Sequence, residues 1–275
     1  MDFQDILYAK DSHGIVTVTL NRPEALNGTT PRMNRELAQA VRMAKADPEV
    51  KVLVVTGAGR IFCAGIDLKG LTGKARDTAA WGDLPANASI EDKRGALRNN
   101  AHLLPRAMID FDKPCIGAIN GPAVGGGMDI ASLCDIRIAS EQARFAMSYV
   151  KVGATPAVGG CYLLPRIVGL TVACELIWTG RTIDAQEALK IGYVSKVVPH
   201  DDLMPAVMDL ALQLAKGPSV AINMSKRLIY HCLNLDFARA LDAHEWGMTI
   251  AQNTEDAREG PRAWAEKRAP QFKGR

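Results

Sequence analysis

Three consecutive glycines stand between an apolar run and a helix-compatible segment, and this junction constrains the chain more than any other stretch. Cys115-Ile-Gly-Ala-Ile119 reads as a buried strand, Gly121-Pro-Ala-Val-Gly-Gly-Gly-Met-Asp129 as the corner, and Asp129-Ile-Ala-Ser-Leu-Cys134 as a helix. Glycine lets the backbone pass very close to a ligand or to another segment. The first N–H groups of the helix have no intrahelical acceptor and point out of its positive dipole end. Such a corner suits a phosphate, a carboxylate or a carbonyl oxygen gaining negative charge. Asp129, three residues past the middle glycine, adds a proton-transfer group beside it. Tight packing of strand on helix calls for the same glycines, so the corner alone leaves both readings open.

The 275 residues allow one large domain or two modest ones, and 48% hydrophobic content supplies a real core. A net charge of +3, with basic residues scattered, argues against nucleic acid as a partner, so an anionic ligand must be held by local groups. The six cysteines (Cys63, Cys115, Cys134, Cys161, Cys174, Cys232) form no CxxC pair and no zinc-spaced Cys/His cluster. Most lie in apolar segments, which reads as reduced, buried thiols and no metal. Met1-Asp-Phe-Gln-Asp5 is acidic and has neither secretory nor transit character. The longest uncharged stretch, Pro114 to Met128, is too short to span a bilayer. The expectation is a cytoplasmic protein with no membrane partner.

Strand patterns occupy Ile15-Val-Thr-Val-Thr-Leu20 and Val50-Lys-Val-Leu-Val-Val-Thr56. Between them Thr30-Pro31 pairs an N-cap with a first-turn proline, Met33, Leu37, Ala40, Val41 and Ala44 share one face, and Asp47-Pro48 ends the helix. Strand, glycine turn and helix recur at Val50–Gly59, Cys115–Cys134 and, more weakly, Asp135–Ala146, which implies a layered α/β core. Helical patterns dominate later: Thr171–Thr179, Asp184–Lys190, and a long set from Asp201 broken at Gly217-Pro218. Composition shifts near residue 200. Residues 70–95 crowd Gly, Asp, Ala, Asn and Pro around Trp81, as in a lid, a binding loop or a surface insert.

A second corner, Gly57-Ala-Gly-Arg-Ile-Phe-Cys-Ala-Gly-Ile-Asp-Leu-Lys69, follows the second strand and has neither a Walker nor a dinucleotide pattern. Each corner can offer one backbone N–H to the same oxygen, and losing one such donor costs about 2.7–4 kcal/mol of transition-state stabilisation.

Asn21-Arg-Pro-Glu-Ala-Leu-Asn27, Phe62-Cys-Ala-Gly-Ile-Asp67, Lys113-Pro114, Asn120-Gly121 and Gly125-Gly-Gly-Met-Asp129 occur in this order. Cys134-Asp135, Gly159-Gly160, Leu164-Pro-Arg166, Thr179-Gly180, Glu259-Gly260, Lys267-Arg268 and Phe272-Lys273 follow. In order and spacing the set resembles the enoyl-CoA hydratase/isomerase (crotonase) superfamily, from about residue 14 to the end. The resemblance implies an α/β spiral of ββα repeats with a helical C-terminal segment. Residues 1–200 would form the core with the acyl-CoA site, and 201–275 the segment that builds a homotrimer or a dimer of trimers. It also implies acyl-CoA thioester substrates, with coenzyme A arriving as part of the substrate and no separate cofactor. The thioester oxygen would be held by the N–H groups of Ile66 and Gly126, and CoA contacts would fall at Ala25, Ala64, Ile66, Asp67, Leu68, Lys69 and Gly126. Lys69 would face the anionic nucleotide end. Polarising the thioester stabilises an enolate at the α carbon, and the surrounding acids and bases then choose the reaction.

Hydratases of this superfamily carry two glutamates around the attacking water. Asp129 stands at the first position and Tyr149, in Phe145-Ala-Met-Ser-Tyr149, at the second. An unperturbed tyrosine titrates near ~10 and donates a proton or a hydrogen bond more readily than it accepts one at neutral pH. The aspartate used by the family's dienoyl-CoA isomerases and aryl-CoA dehalogenases would fall at Ala157. His102, and less directly Asp83, Glu91 and Asp92, are compensating candidates. The expected function is therefore an enoyl-CoA hydratase or dehydratase, with Asp129 as acid/base, Tyr149 as donor, and Ile66 and Gly126 as the oxyanion groups. The alternatives are an acyl-CoA isomerase, hydrolase or decarboxylase using His102 or Tyr149, and a non-catalytic CoA-binding scaffold.

Overall fold

A computed structural model describes residues 2–66, 84 and 87–275. Strands β1 (Ile6–Lys10), β2 (Ile15–Leu20), β3 (Val52–Gly57), β4 (Cys115–Ile119), β6 (Ile136–Ser140) and β9 (Lys196–Val198) form one sheet in the order β1-β2-β3-β4-β6-β9. β1 and β2 are an antiparallel pair, and every later neighbour in this sheet is parallel. A three-stranded sheet holds β5 (Ala123–Val124), β7 (Arg144–Ala146) and β8 (Thr182–Asp184) in the order β5-β7-β8.

The chain deals its strands alternately to these layers. β4 in the large sheet is followed by β5 in the small one and then by helix α4 (Gly126–Ser132). β6 and β7 repeat the move, as do β2 and β3 with single bridging residues, Thr29 to Ile66 and Cys63 to Ala123. The architecture is thus α/β with strand–strand–helix repeats and a helical C-terminal segment.

Local sequence explains the first repeat. Thr30 Oγ1 accepts from Met33 N at 3.0 Å and caps α1 (Pro31–Ala46), whose Met33, Leu37, Ala40, Val41 and Ala44 are all buried. At the other end, the buried Lys113 donates to the carbonyl oxygens of Ala44 (2.7 Å) and Asp47 (2.6 Å). That gives the Lys113-Pro114 pair a physical role: an ammonium satisfies the carbonyls that the helix C-terminus leaves open.

Residues 90–95, read from sequence as part of an irregular loop, instead begin α2 (Ile90–Asn99), because Ser89 and Asp92 close a capping box. α3 (Leu103–Ile109) follows and packs on α1. α5 (Gly160–Val168), α6 (Leu170–Thr179) and α7 (Ala185–Lys190) come next. Beyond residue 200, α8 (Leu203–Ala215) lies on the large sheet, where Leu203, Val207 and Ala211 pack with Ile15, Val52, Val54 and Ile116. α9 (Ser219–Cys232) and α10 (Phe237–Gln252) pack on each other, followed by α11 (Glu255–Ala265). Among the described residues, no helix is long and apolar enough to cross a membrane. Cys63, Cys115 and Cys134 are buried free thiols, whereas Cys161 is exposed.

Candidate active site

Two corners meet at the edge of the small sheet. After β3 the chain passes through Phe62 and Cys63, and the Cys63 N–H donates to Pro122 O while Val124 N–H donates back to Cys63 O. On its other side Thr29 N–H donates to Gly65 O at 2.7 Å. The short helical turn Pro23–Ala25 precedes Leu26 and Asn27, both at left-handed φ. Asn27 holds this turn on the second corner through its side-chain amide, which donates to Ala58 O and Ile61 O, and Ala64 N–H donates to Leu26 O. Ala25, Ala64 and Ile66, expected to contact CoA, are thereby gathered on neighbouring segments.

The glycines are there for close approach. Gly65 has φ +88°, and a methyl group on it would sit 2.6 Å from Val124 O and 3.2 Å from Gly126 N. A methyl on Gly127 would fall 2.1 Å from Cys63 O. Gly125 N–H is taken up by Ala146 O, which places Gly126 as the first residue of α4. Neither Ile66 N–H nor Gly126 N–H donates to another described residue, and a Cβ on Gly126 would lie 4.0 Å from Ile66 N.

Beside the corner lies a carboxylate–phenol pair. Asp129 is on α4 and fully buried, and Tyr149 Oη donates to its Oδ2 at 2.5 Å. Its Oδ1 has no hydrogen-bond partner among the described residues; the backbone N–H groups of Val158 and Gly160 favour the charged form without meeting hydrogen-bond geometry. Burial pushes the Asp129 carboxyl up to about 7, against the smaller opposing effect of the Tyr149 bond. Burial, and then the Asp129 charge, hold the Tyr149 phenol well above its ordinary value. The tyrosine is therefore a donor at neutral pH, and its partner is the group that titrates there. A Cβ on Gly126 would sit 3.5 Å from Tyr149 Oη, so the phenol reaches the same corner as the two N–H groups.

A cavity of about 40 Å³ opens on this corner, bordered by Ile66, Gly126 and Tyr149 and by Thr29, Asn34 and Asn100 on its α1–α2 side. Among the described residues that line it none is charged, and Asp129 stands behind Tyr149. His102 is absent from this wall. Its Nε2 lies 2.9 Å from Ala157 O, and it borders a separate open depression with Pro105, Arg106 and Tyr162. Glu91 pairs with Arg94 at the surface and Asp92 is used by the capping box, so neither reaches the corner. Asp67, Leu68, Lys69, Trp81 and Asp83 lie outside the described residues. No group of three or more His, Cys, Asp and Glu able to hold a metal occurs among the described residues. Reading the sequence missed the amide pair Asn34–Asn100, which belongs to no recognisable motif, and singled out Gly159-Gly160 without connecting it to Asp129, beside which the backbone of Val158 and Gly160 lies.

The profile of the enoyl-CoA hydratase/isomerase family matches residues 10–275. Enoyl-CoA hydratase EchA19 of Mycobacterium tuberculosis is 36% identical over 273 residues, covering 98% of this chain and 97% of that protein. (E)-Benzylidenesuccinyl-CoA hydratase of Thauera aromatica is 35% identical over 266 residues, covering 96% and 97%. The crystal structure of an enoyl-CoA hydratase from Bacillus anthracis superposes with a TM-score of 0.89 at 31% identity, covering 99% of this chain and all of that one. With the two glycine corners, the layered repeats and a family match over nearly its whole length, this chain belongs to the enoyl-CoA hydratase/isomerase (crotonase) family.

Proposed function

We propose that the corner formed by Ile66 and Gly126 is an oxyanion hole for an acyl-CoA thioester, and that Tyr149 and Asp129 act together as one acid/base relay. The reaction class is hydratase-type, as in the named relatives. The observation that carries the relay is that the tyrosine borders the cavity while the carboxylate it bonds lies behind it.

The chemistry follows from that order. A water between Tyr149 and the β carbon gives its proton to Tyr149 Oη as the phenol proton moves to Asp129 Oδ2. The water oxygen bonds to the β carbon, and the π electrons shift onto the thioester oxygen, where the two N–H groups stabilise the charge. Collapse of the enolate then takes a proton from Tyr149 at the α carbon, and Tyr149 recovers its own from Asp129. Water is consumed, and the enzyme returns to its starting state. An acid near neutral pH suits such shuttling better than an exposed carboxylate. A CoA-binding scaffold has no use for a buried carboxyl with one oxygen unpaired, which argues for an enzyme. The same relay, moving one proton between α and γ carbons without water, would serve double-bond migration.

Coenzyme A would enter only as part of the substrate, along Ala25, Ala64 and Ile66. Assembly as a trimer or a dimer of trimers through residues 201–275 is supported by Trp246 (74% exposed) and Trp264 (85% exposed) on α10 and α11. The buried free thiols support a cytoplasmic location.

The deciding experiment is turnover of crotonyl-CoA, a β,γ-enoyl-CoA and acyl-CoA controls, followed by mass spectrometry for water addition and for CoA release. Hydration of crotonyl-CoA that Asp129→Ala abolishes is the expected result. Consumption of another thioester with no water added to crotonyl-CoA would overturn it.

A further inference from the structure

We propose that Leu104 and Ile130 set the length of the acyl group, by forming the partition between the acyl cavity and a second, smaller cavity inside the core. The protein then takes short, straight acyl thioesters of crotonyl size, and trimming the partition extends its range. The inference rests on the acyl-CoA reading of the corner. It comes from the two side chains that border both spaces, the cavity of about 40 Å³ at the corner and another of about 20 Å³ beyond them.

Ile130 lies on the same face of α4 as Gly126, four residues on and about 6 Å further along the axis. Helical side chains lean toward the N-terminus of their helix, so Ile130 closes over the turn that begins at Gly126. Leu104 reaches the same space from α3, which packs on α1, and both side chains are buried. With Pro31, Leu97 and Ala101 they make this part of the wall apolar. A space of about 40 Å³ holds only a few small groups, so a thioester whose oxygen sits at the Gly126 N–H soon brings its acyl terminus against them. The second cavity is lined by Val18, Leu37, Leu53, Met108 and other apolar side chains, with the Cys134 thiol. A void of that kind stays dry and takes hydrocarbon. An acyl chain entering it breaks no hydrogen bond, so the bulk of the partition is what keeps it out. The cavity shares one other wall, Ala157–Val158, with the open depression beside His102. That wall is backbone, pinned where His102 Nε2 lies 2.9 Å from Ala157 O.

The test uses saturated thioesters, which cannot be hydrated, so that binding is read apart from turnover. Calorimetry would compare butanoyl-, hexanoyl- and octanoyl-CoA on the wild type, Leu104→Ala, Ile130→Val and Ala157→Val. The wild type is expected to bind octanoyl-CoA about 10-fold or more weakly than butanoyl-CoA. Leu104→Ala should reverse that order, each further methylene that enters the second cavity adding about fourfold. Ile130→Val, with one methyl less in the partition, should move the same way by less, and Ala157→Val should keep the wild-type order. Octanoyl-CoA bound by the wild type as tightly as butanoyl-CoA overturns the proposal, even if Leu104→Ala fails to fold. So does an order that neither Leu104→Ala nor Ile130→Val changes, or one that Ala157→Val alone changes, which would route the chain past His102. Hydration of crotonyl-CoA and octenoyl-CoA is assayed separately. Length-selective binding with neither hydrated sinks the hydratase reading and leaves the partition; hydration of both with no length preference does the reverse.

Discussion

Tyr149 Oη stands 2.5 Å from Oδ2 of Asp129, and of the two residues the tyrosine is the one that borders the cavity. A phenol and a buried carboxyl thus stand as a bonded pair where the resemblance to the family's hydratases leads one to expect two carboxylates. The phenol cannot serve as a free base at neutral pH, since burial and the neighbouring charge hold its proton on. In the relay proposed above, it passes a proton to and from the carboxyl behind it.

Tyr149→Phe should therefore lower kcat by about 100-fold or more, the range attributed to one acid/base group, while KM changes little. The variant also removes the donor that lowers the Asp129 pKa, so the acidic limb of its residual pH profile should move upward from the wild-type position. Steady-state kinetics from pH 5 to pH 9 would show both effects. A variant with unchanged kcat would remove Tyr149 from the proton path.

Gly65→Ala probes the corner without touching an acid or base. The added methyl would meet Val124 O at 2.6 Å, and the φ of +88° is strained for alanine, so the Ile66 N–H must move relative to Gly126. Loss of one donor from such a pair costs about 2.7–4 kcal/mol of transition-state stabilisation, roughly 100- to 1000-fold in kcat. Circular dichroism on the same sample confirms that the protein is folded. Undiminished kcat in a folded variant would mean that the Ile66 N–H does not hold the oxyanion.

Much of this arrangement was legible because local rules and tertiary structure agree. Thr30-Pro31 caps α1 as its residue types require, and Cys115–Ile119 is a strand whose glycine corner leads into a helix. Other features depend on contacts between segments that sequence order does not reveal. The Tyr149–Asp129 bond joins residues 20 apart, and Asn34 meets Asn100 across 66 residues. His102 is a sequence candidate because its segment precedes Lys113-Pro114, but it stands just before α3 with its ring nitrogen against Ala157 O. Ser89-x-x-Asp92 is a capping signal readable in sequence, yet the surrounding turn-forming residues masked it.

His102→Ala gives a clean contrast to the relay variants. The imidazole bonds a backbone carbonyl and faces a depression apart from the cavity, so its removal should leave kcat within about threefold of wild type. A stability loss of about 1 kcal/mol is expected from the lost bond, within the range for one partly buried hydrogen bond. Thermal denaturation and crotonyl-CoA turnover measure the two separately. A drop in kcat as large as that of Tyr149→Phe would bring His102 back into the mechanism.

Asp129 links activity and stability to pH with opposite signs. The relay needs the carboxylate to receive a proton, so kcat/KM should rise with an apparent pKa near 7 and level off above it. For stability, the folded pKa of about 7 lies above the ordinary 3.8, so the folded state holds this proton more tightly than the unfolded one. The favourable contribution is complete below about pH 4, declines as pH rises through the interval, and is gone above pH 7. Asp129→Asn keeps the shape, removes the titration, and should abolish hydration. At pH 8 it should also melt higher than the wild type, by an amount on the order of 2–4 kcal/mol if burial alone sets the shift. That advantage should disappear toward pH 4, where the wild-type carboxyl is protonated in the folded protein. Melting curves of both proteins at pH 4, 6 and 8 decide it. A variant less stable than wild type at pH 8 would mean that the ionised carboxylate is well solvated in the folded protein, and the burial argument for its raised pKa would fail.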